Sequence, residues 1–210
     1  MSKELPSAVV FDMDGVLIDA TDWHYEALNR ALEHLGLTIT PKEHLGEFNG
    51  LPTRVKLDKL SEEKGLPVAL HQIVSKVKQA ETLRYAALNS VVRLETLRVL
   101  GFLRELGIPI AVATNSIRMT TDVMLTMAGL HQYFDLVVTN EDVSRPKPNP
   151  EIYETVCKRL QVDPSLTLVI EDTEVGAAAA RAANCRVQKI RLPEDLTVDL
   201  LTRVMRTEKW

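Results

Sequence analysis

Asp12 and Asp14 stand two residues apart in Phe11-Asp12-Met13-Asp14-Gly15-Val16, where an apolar run stops and Gly15 allows a sharp turn. Two like charges this close repel each other unless a cation lies between them or one is protonated, a cost that a plain surface turn has no reason to carry. A second acid pair, Glu171-Asp172, follows the run Leu166-Thr167-Leu168-Val169-Ile170. Ala113-Thr114-Asn115-Ser116 offers hydroxyl and amide donors, although the same residues would also serve as an ordinary helix N-cap. Ser144-Arg145-Pro146-Lys147-Pro148-Asn149-Pro150 holds Lys147 between two prolines, which restrict its backbone. A rigidly held cation suits a fixed anion; a solvated loop lysine is the alternative.

These residues need elements to bring them together. Five short runs predict strands over 8–11, 108–113, 136–138, 166–170 and 187–190, four of them apolar throughout or nearly so, as strands covered on both faces are. Helical spacing separates them: Val123, Met124, Met127 and Ala128 closed by Gly129; Ile152, Val156 and Leu160 behind Asn149 as N-cap and Pro150 at the first position; and Leu200, Leu201, Val204 and Met205. This alternation predicts an α/β fold with a doubly wound parallel sheet, its ligands at the carboxyl ends of the strands. Between the first two strands, however, about ninety residues intervene, far more than one crossover helix needs. All read as helical: Ala27, Leu28, Ala31, Leu32 and Leu35, then segments near 52–64 and 67–89, then Val99, Phe102, Leu103 and Leu106. The economical organisation is a core of residues 1–16 and 91–210 with an all-helical cap, 17–90, lying over the end of the first strand.

Taken in order, Asp12-Met13-Asp14-Gly15-Val16, Thr114-Asn115, Lys147-Pro148-Asn149-Pro150 and Glu171-Asp172 resemble the haloacid dehalogenase superfamily of aspartyl-phosphate-forming hydrolases. The likeness spans the whole chain. It is strongest to the β-phosphoglucomutase-like branch, from Asp14-Gly15-Val16-Leu17-Ile18-Asp19 through His24 to Arg191-Leu192-Pro193-Glu194-Asp195-Leu196. The resemblance implies that Asp12 attacks phosphorus, and that Asp14 protonates the leaving oxygen and then takes a proton from the acceptor. It implies Mg²⁺ held by Asp12, Asp172 and the Asp14 backbone carbonyl with Glu171 close by, and phosphoryl oxygens met by Thr114, the backbone at Asn115 and the Gly15 turn. Lys147 would offset their charge. The electrostatics agree: a phosphate monoester is nearly a dianion, four carboxylates surround it, and only Mg²⁺ and Lys147 return positive charge. Relatives that cleave carbon–halogen bonds lack the second Asp, because a halide leaves without a proton; this chain keeps it, which favours an oxygen leaving group.

Substrate choice belongs to the cap. By resemblance His24, Arg54 in Asn49-Gly50-Leu51-Pro52-Thr53-Arg54, and Lys78 contact substrate. The plain alternatives are a half-exposed helix histidine, a surface lysine, and, for Arg54, a solvated face shared with Lys56, Asp58 and Lys59. Two departures weaken a mutase reading. Asp19-Ala20 lacks the hydroxyl many relatives carry, and Ser90-Val91-Val92-Arg93-Leu94-Glu95 lacks a Pro-Gly hinge. The expectation is therefore a Mg²⁺-dependent phosphatase of a small phosphate monoester such as a sugar phosphate, with a phosphosugar mutase as alternative.

Composition excludes other classes. A chain of 210 residues with 45% hydrophobic and 26% charged residues is ordinary globular protein, and a net charge of −4 leaves no footprint for a nucleic-acid backbone. Ala8-Val9-Val10-Phe11 is too short for an export signal or membrane span, so a cytoplasmic protein is expected, a monomer or weak dimer. Cys157 and Cys185 lack CxxC spacing and read as core thiols rather than a disulfide or zinc site. A phosphoacceptor receiver domain shares an acidic cluster, a Thr and a Lys, but needs neither the second Asp nor a helical insert; a dead scaffold is hard to reconcile with four intact motifs.

Overall fold

The computed structural model describes residues 5–207, so the outermost residues of the expected core range, 1–4 and 208–210, lie outside the described residues. The chain runs β1 (Ala8–Phe11), α1 (Thr21–Glu33), α2 (Pro41–Glu43), a π turn (His44–Phe48), α3 (Thr53–Lys64), α4 (His71–Asn89) and α5 (Leu94–Glu105). It continues with β2 (Ile110–Ala113), α6 (Arg118–Met127), β3 (Leu136–Val138), α7 (Glu151–Leu160), β4 (Thr167–Glu171), α8 (Glu174–Ala182), β5 (Arg186–Lys189) and α9 (Val198–Thr207). The five strands form one parallel sheet in the order β3-β2-β1-β4-β5. β1 is central, with Val10 opposite Ala111 on one side and Val169 on the other. Because β2 leaves β1 in one direction and β4 in the other, the order reverses beside β1, where the end of a doubly wound sheet opens into a crevice.

Alternate side chains cover opposite faces of this sheet. Val9, Phe11, Ile110, Val112, Leu168 and Ile170 pack against α5, α6 and α9. Val10, Ala111, Ala113 and Val169 pack against α7 and the alanines of α8. A separate apolar cluster, including Leu28, Leu32, Phe48, Leu57, Leu60 and Val74, joins α1, α3, the π turn and α4 into a layer over the sheet's carboxyl end. The helical insertion expected from chain length is therefore present with a core of its own. Among the described residues no helix is long and apolar enough to cross a membrane.

Several boundaries differ from the sequence expectation. Leu35 falls outside α1, which ends at Glu33; β2 begins at Ile110 because Pro109 offers no N–H to the ladder; and Leu166 belongs to a 3₁₀ turn before β4. The last strand begins one residue earlier than expected and stops at Lys189. Helix α7 starts at Glu151, with Asn149 Oδ1 accepting from the Glu151 N–H at 3.1 Å. The cysteines, distant in sequence, bring their sulfurs to 3.9 Å as buried free thiols.

Candidate active site

The ends of β1, β2 and β4 converge on one cavity of about 430 Å³, roofed by α1, α3 and α4 and lined by Asp12, Asp14, Thr114, Asn115 and Lys147 among others. Lys147 enters from the loop before α7 and is almost wholly buried. Its Nζ donates to Asp12 Oδ1 at 2.6 Å, Glu171 Oε1 at 2.6 Å and the Ala113 carbonyl at 2.8 Å. Burial alone would lower its pKa, but Asp12 and Glu171 outweigh that and hold the ammonium well above its usual range. The solvated-loop reading of Lys147 is thus ruled out.

Two acids bond to this one ammonium, and a third, Asp172, stands close to both. Burial, partly offset by Lys147, pushes the Asp12 carboxyl well above its usual range, and the charges of Glu171, Asp172 and Asp14 push it further. Burial and Glu171 likewise push Asp172 up to about 7. Asp12, Glu171 and Asp172 each place an oxygen within 4.8 Å of the others, and Asp172 Oδ1 is buried without a hydrogen-bond partner among the described residues. An all-oxygen set with surplus negative charge and an orphaned carboxylate oxygen fits a hard divalent cation. Glu171 stands behind the other two. Its Oε1 accepts from Lys147 and from Tyr153 Oη at 2.8 Å, while Oε2 accepts from the Asp172 and Thr173 N–H groups and the Thr173 hydroxyl.

Asp14 belongs to a different set of contacts. Ser116 Oγ donates to its Oδ2 at 2.8 Å, and His24 Nε2 stands 3.1 Å from its Oδ1, close enough for a charge contact but misaligned for a hydrogen bond. Lys78 Nζ meets the other face of that imidazole, 3.1 Å from Nδ1. Burial and Lys78 lower the His24 pKa, so the ring is neutral, with Nδ1 accepting from the ammonium and the proton on Nε2 facing Asp14. Although burial acts the other way, His24 and Ser116 hold Asp14 below its ordinary value, as a carboxylate.

The remaining expected residues are placed as follows. Thr114 Oγ1 accepts from the Ser116 N–H at 3.0 Å, which leaves its own proton free to donate into the cavity. The Asn115 side chain is committed elsewhere: Nδ2 donates to the Gly50 carbonyl at 2.8 Å and the Lys147 carbonyl at 3.2 Å, and Oδ1 accepts from the Lys147 N–H. It ties the roof to the lysine loop. Gly15 takes φ +87° and lies outside the cavity lining; a Cβ there would stand 2.3 Å from Asp172 Oδ2, so its contribution is room for that carboxylate. His24 and Lys78 are buried, not surface residues. Arg54 stays at the mouth, its side chain 92% exposed and 4.0 Å from Asp58.

Lys56 reverses an expectation. Read as part of a solvated face, it is 5% exposed and lines the cavity. The signal was available, because Lys56 precedes Leu60 by one helical repeat and so shares its inward face. Lys78 likewise sits in the buried file Val74, Lys78, Thr82, Ala86. Tyr153 and Gly176 had no such signal, since their neighbour Glu171 lies on another element, whereas Ser116 was among the donors that follow the second strand.

The family profile described as haloacid dehalogenase-like hydrolase matches residues 9–190. The chain belongs to this family. Among curated haloacid dehalogenase-like relatives, it is 34% identical over 179 residues to a phosphorylated carbohydrates phosphatase of Thermotoga maritima, covering 84% of this chain and 81% of that one. It is 30% identical over 186 residues to a fructose-1-phosphate phosphatase of Escherichia coli, covering 89% and 97% respectively. A β-phosphoglucomutase from Clostridium difficile shares the fold at a TM-score of 0.85 and 19% identity, covering 97% and 98% of the two chains. Within the haloacid dehalogenase-like hydrolases the chain is a phosphomonoester hydrolase.

Proposed function

We propose that the protein is a divalent-metal-dependent phosphatase that cleaves a small phosphate monoester, such as a sugar phosphate, through an aspartyl phosphate on Asp12. One observation carries this reading: the Asp12 carboxylate, bonded to Lys147, and the Asp14 carboxylate, held by Ser116 beside His24, meet in one cavity with no shared partner among the described residues. Two neighbouring carboxylates with separate partners can take separate roles, one attacking and one moving protons. The relatives named for phosphorylated carbohydrates and fructose 1-phosphate support the substrate class.

In the first half-reaction an Asp12 oxygen forms a bond to phosphorus as the bond from phosphorus to the ester oxygen breaks. Asp14 delivers a proton to that oxygen. Asp14 is a carboxylate in the substrate-free arrangement, so it takes up a proton from solvent before it acts as the acid, and the proton it gains from water in the second half-reaction returns to solvent. In the second half-reaction Asp14 takes a proton from water as its oxygen attacks phosphorus; phosphate leaves and the Asp12 carboxylate returns. Thr114 donates to a phosphoryl oxygen and Lys147 offsets its charge. The cation, Mg²⁺ by family resemblance, would be held by Asp12, Asp172 and the Asp14 backbone carbonyl, with Glu171 fixing the group from behind. When bound it would offset the repulsion between the nucleophile and the phosphoryl dianion.

The test uses p-nitrophenyl phosphate with Mg²⁺. Wild type turns over continuously, Asp12→Asn is inactive with an unchanged melting temperature, and Asp14→Asn accumulates protein heavier by one phosphoryl group in acid-quenched mass spectra. Turnover surviving in Asp12→Asn would remove that residue from the mechanism. The mutase alternative has its own signature, dependence of rate on a sugar bisphosphate activator.

A further inference from the structure

Two nucleophilic side chains take no part in the chemistry at Asp12. Cys157 lies on the inward face of α7 and Cys185 just ahead of β5, and they are the only cysteines in the sequence. Both are buried as free thiols in the apolar layer shared by α7 and α8, with their sulfurs 3.9 Å apart. The pair is buried but not deep: Lys158 and Arg159 beside Cys157, and Asn184 beside Cys185, are exposed. Two thiols in contact titrate unequally. The contact with Cys185 outweighs burial and brings Cys157 down to about 7, whereas the same contact and burial push Cys185 up. At neutral pH Cys157 is therefore the nucleophile of the pair, since the thiolate is the reactive form, and Cys185 keeps its proton.

Both sulfurs sit on elements that hold Glu171. Tyr153 precedes Cys157 by about one helical turn on the same buried face of α7. Its hydroxyl donates to Glu171 Oε1 at 2.8 Å, the oxygen that also accepts from Lys147 Nζ, and that ammonium stands 5.1 Å from the centre of the Tyr153 ring. On the other side, the Cys185 N–H donates to the Ala180 carbonyl of α8 at 2.9 Å, and the first turn of α8 carries Gly176, against which Glu171 packs. A disulfide needs its sulfurs about 2.0 Å apart. Closing that gap draws α7 toward the start of β5, and a close-packed core transmits such a strain to its neighbours.

We propose that Cys157 and Cys185 are an oxidation site for hydroperoxides, closing to a reversible disulfide that pulls Tyr153 off Glu171 and slows the phosphatase. In the first step the Cys157 thiolate bonds to one peroxide oxygen as the O–O bond breaks. The other oxygen leaves as water with the proton that Cys157 gave up, and Cys157 becomes a sulfenic acid. In the second step the Cys185 sulfur bonds to the Cys157 sulfur as the S–O bond breaks, and that hydroxyl leaves as water with the Cys185 proton. Two thiols are oxidised by two electrons in all, and one peroxide is reduced to two waters. The effect on rate rests on the phosphatase reading above; formation of the bond does not.

The experiment treats the reduced full-length protein with hydrogen peroxide, reads its intact mass, and maps linked peptides after alkylation and proteolysis without reductant. A monomer lighter by two hydrogens, with one peptide pair joining Cys157 to Cys185, should accompany a fall in kcat on p-nitrophenyl phosphate. The fall should be about 10-fold, less than for a 1 Å misplacement of a catalytic group, because Tyr153 stands a turn away from the bond. Dithiothreitol should restore both mass and rate. Cys185→Ala, its folding checked by melting temperature, should keep the reduced rate and lose the reversible response, which separates the pair from oxidised methionines. Tyr153→Phe should be slow before oxidation and slowed little further by it. Sulfinic acids or a link between two chains in place of the internal bond would overturn the proposal. So would an internal bond with undiminished rate, or a response in Tyr153→Phe as large as in wild type. An internal bond that forms in a protein without turnover in either state would count against the phosphatase reading alone.

Discussion

A Cβ built on Gly176 would lie 1.7 Å from Glu171 Oε1 and 2.0 Å from its carboxyl carbon. The first turn of α8 therefore admits Glu171 only because residue 176 has no side chain, and Glu171 in turn holds Lys147 against Asp12. Gly176→Ala must push the carboxylate out or bend the helix. We expect kcat on p-nitrophenyl phosphate to fall about 100-fold, the scale of a 1 Å misplacement of a catalytic group, with about 1–3 kcal/mol lost from stability by overpacking. Full activity with normal melting would show that the carboxylate has another place to go. Arg54→Ala, by contrast, should change kcat/KM little, because its side chain is 92% exposed; a large loss on the natural ester would place it in contact with substrate.

At the scale of elements, α2 within the cap begins on one reciprocal cap. Glu43 accepts from the Thr40 N–H at 2.6 Å, Thr40 Oγ1 accepts from the Glu43 N–H, and Lys64 at the end of α3 approaches Glu43 to 2.6 Å. The bond to Lys64 and those to Thr40 hold the Glu43 carboxyl at about 2, below its ordinary 4.5. A carboxyl depressed by folding contributes stability that is fully present above 4.5 and is lost as pH falls through about 2. Glu43→Ala should therefore lower the melting temperature near neutral pH, and the difference from wild type should shrink through that acid window. A difference that held constant across the window would assign the effect to packing instead of charge.

The whole molecule joins two layers that each have a core, and among the described residues the polar contacts between them include Asn115 to the Gly50 carbonyl, Gln79 Nε2 to Thr120 Oγ1 at 2.6 Å, and His24 to Asp14 at 3.1 Å. Gly50, at φ +74°, lies so close to Thr173 that a Cβ would stand 3.1 Å from it. The cap thus closes over surplus acid, and a cation that relieves this repulsion should stabilise the whole fold. At a Mg²⁺ concentration about 100 times its Kd the gain is about 2.7 kcal/mol. Melting of the wild-type protein should rise with Mg²⁺ and return on chelation, while Asp172→Asn should respond weakly. An unchanged melting temperature in wild type would argue against the Asp12–Asp172 cation site.

The sequence by itself determined the sheet, the insertion and the residues at the strand ends, because these depend on local quantities: apolar runs, helical spacing, chain length and the position of acids after strands. Asp12, Asp14, Thr114, Lys147, Glu171 and Asp172 are legible because each follows a strand or stands between prolines. Which groups touch was decided only by the tertiary structure. That Asn115 clasps the cap, that Tyr153 and Gly176 hold Glu171, and that Lys56 turns inward while Arg54 turns out all depend on distances between elements far apart in the chain. No periodicity along one segment encodes those distances; packing of the cap on the sheet does.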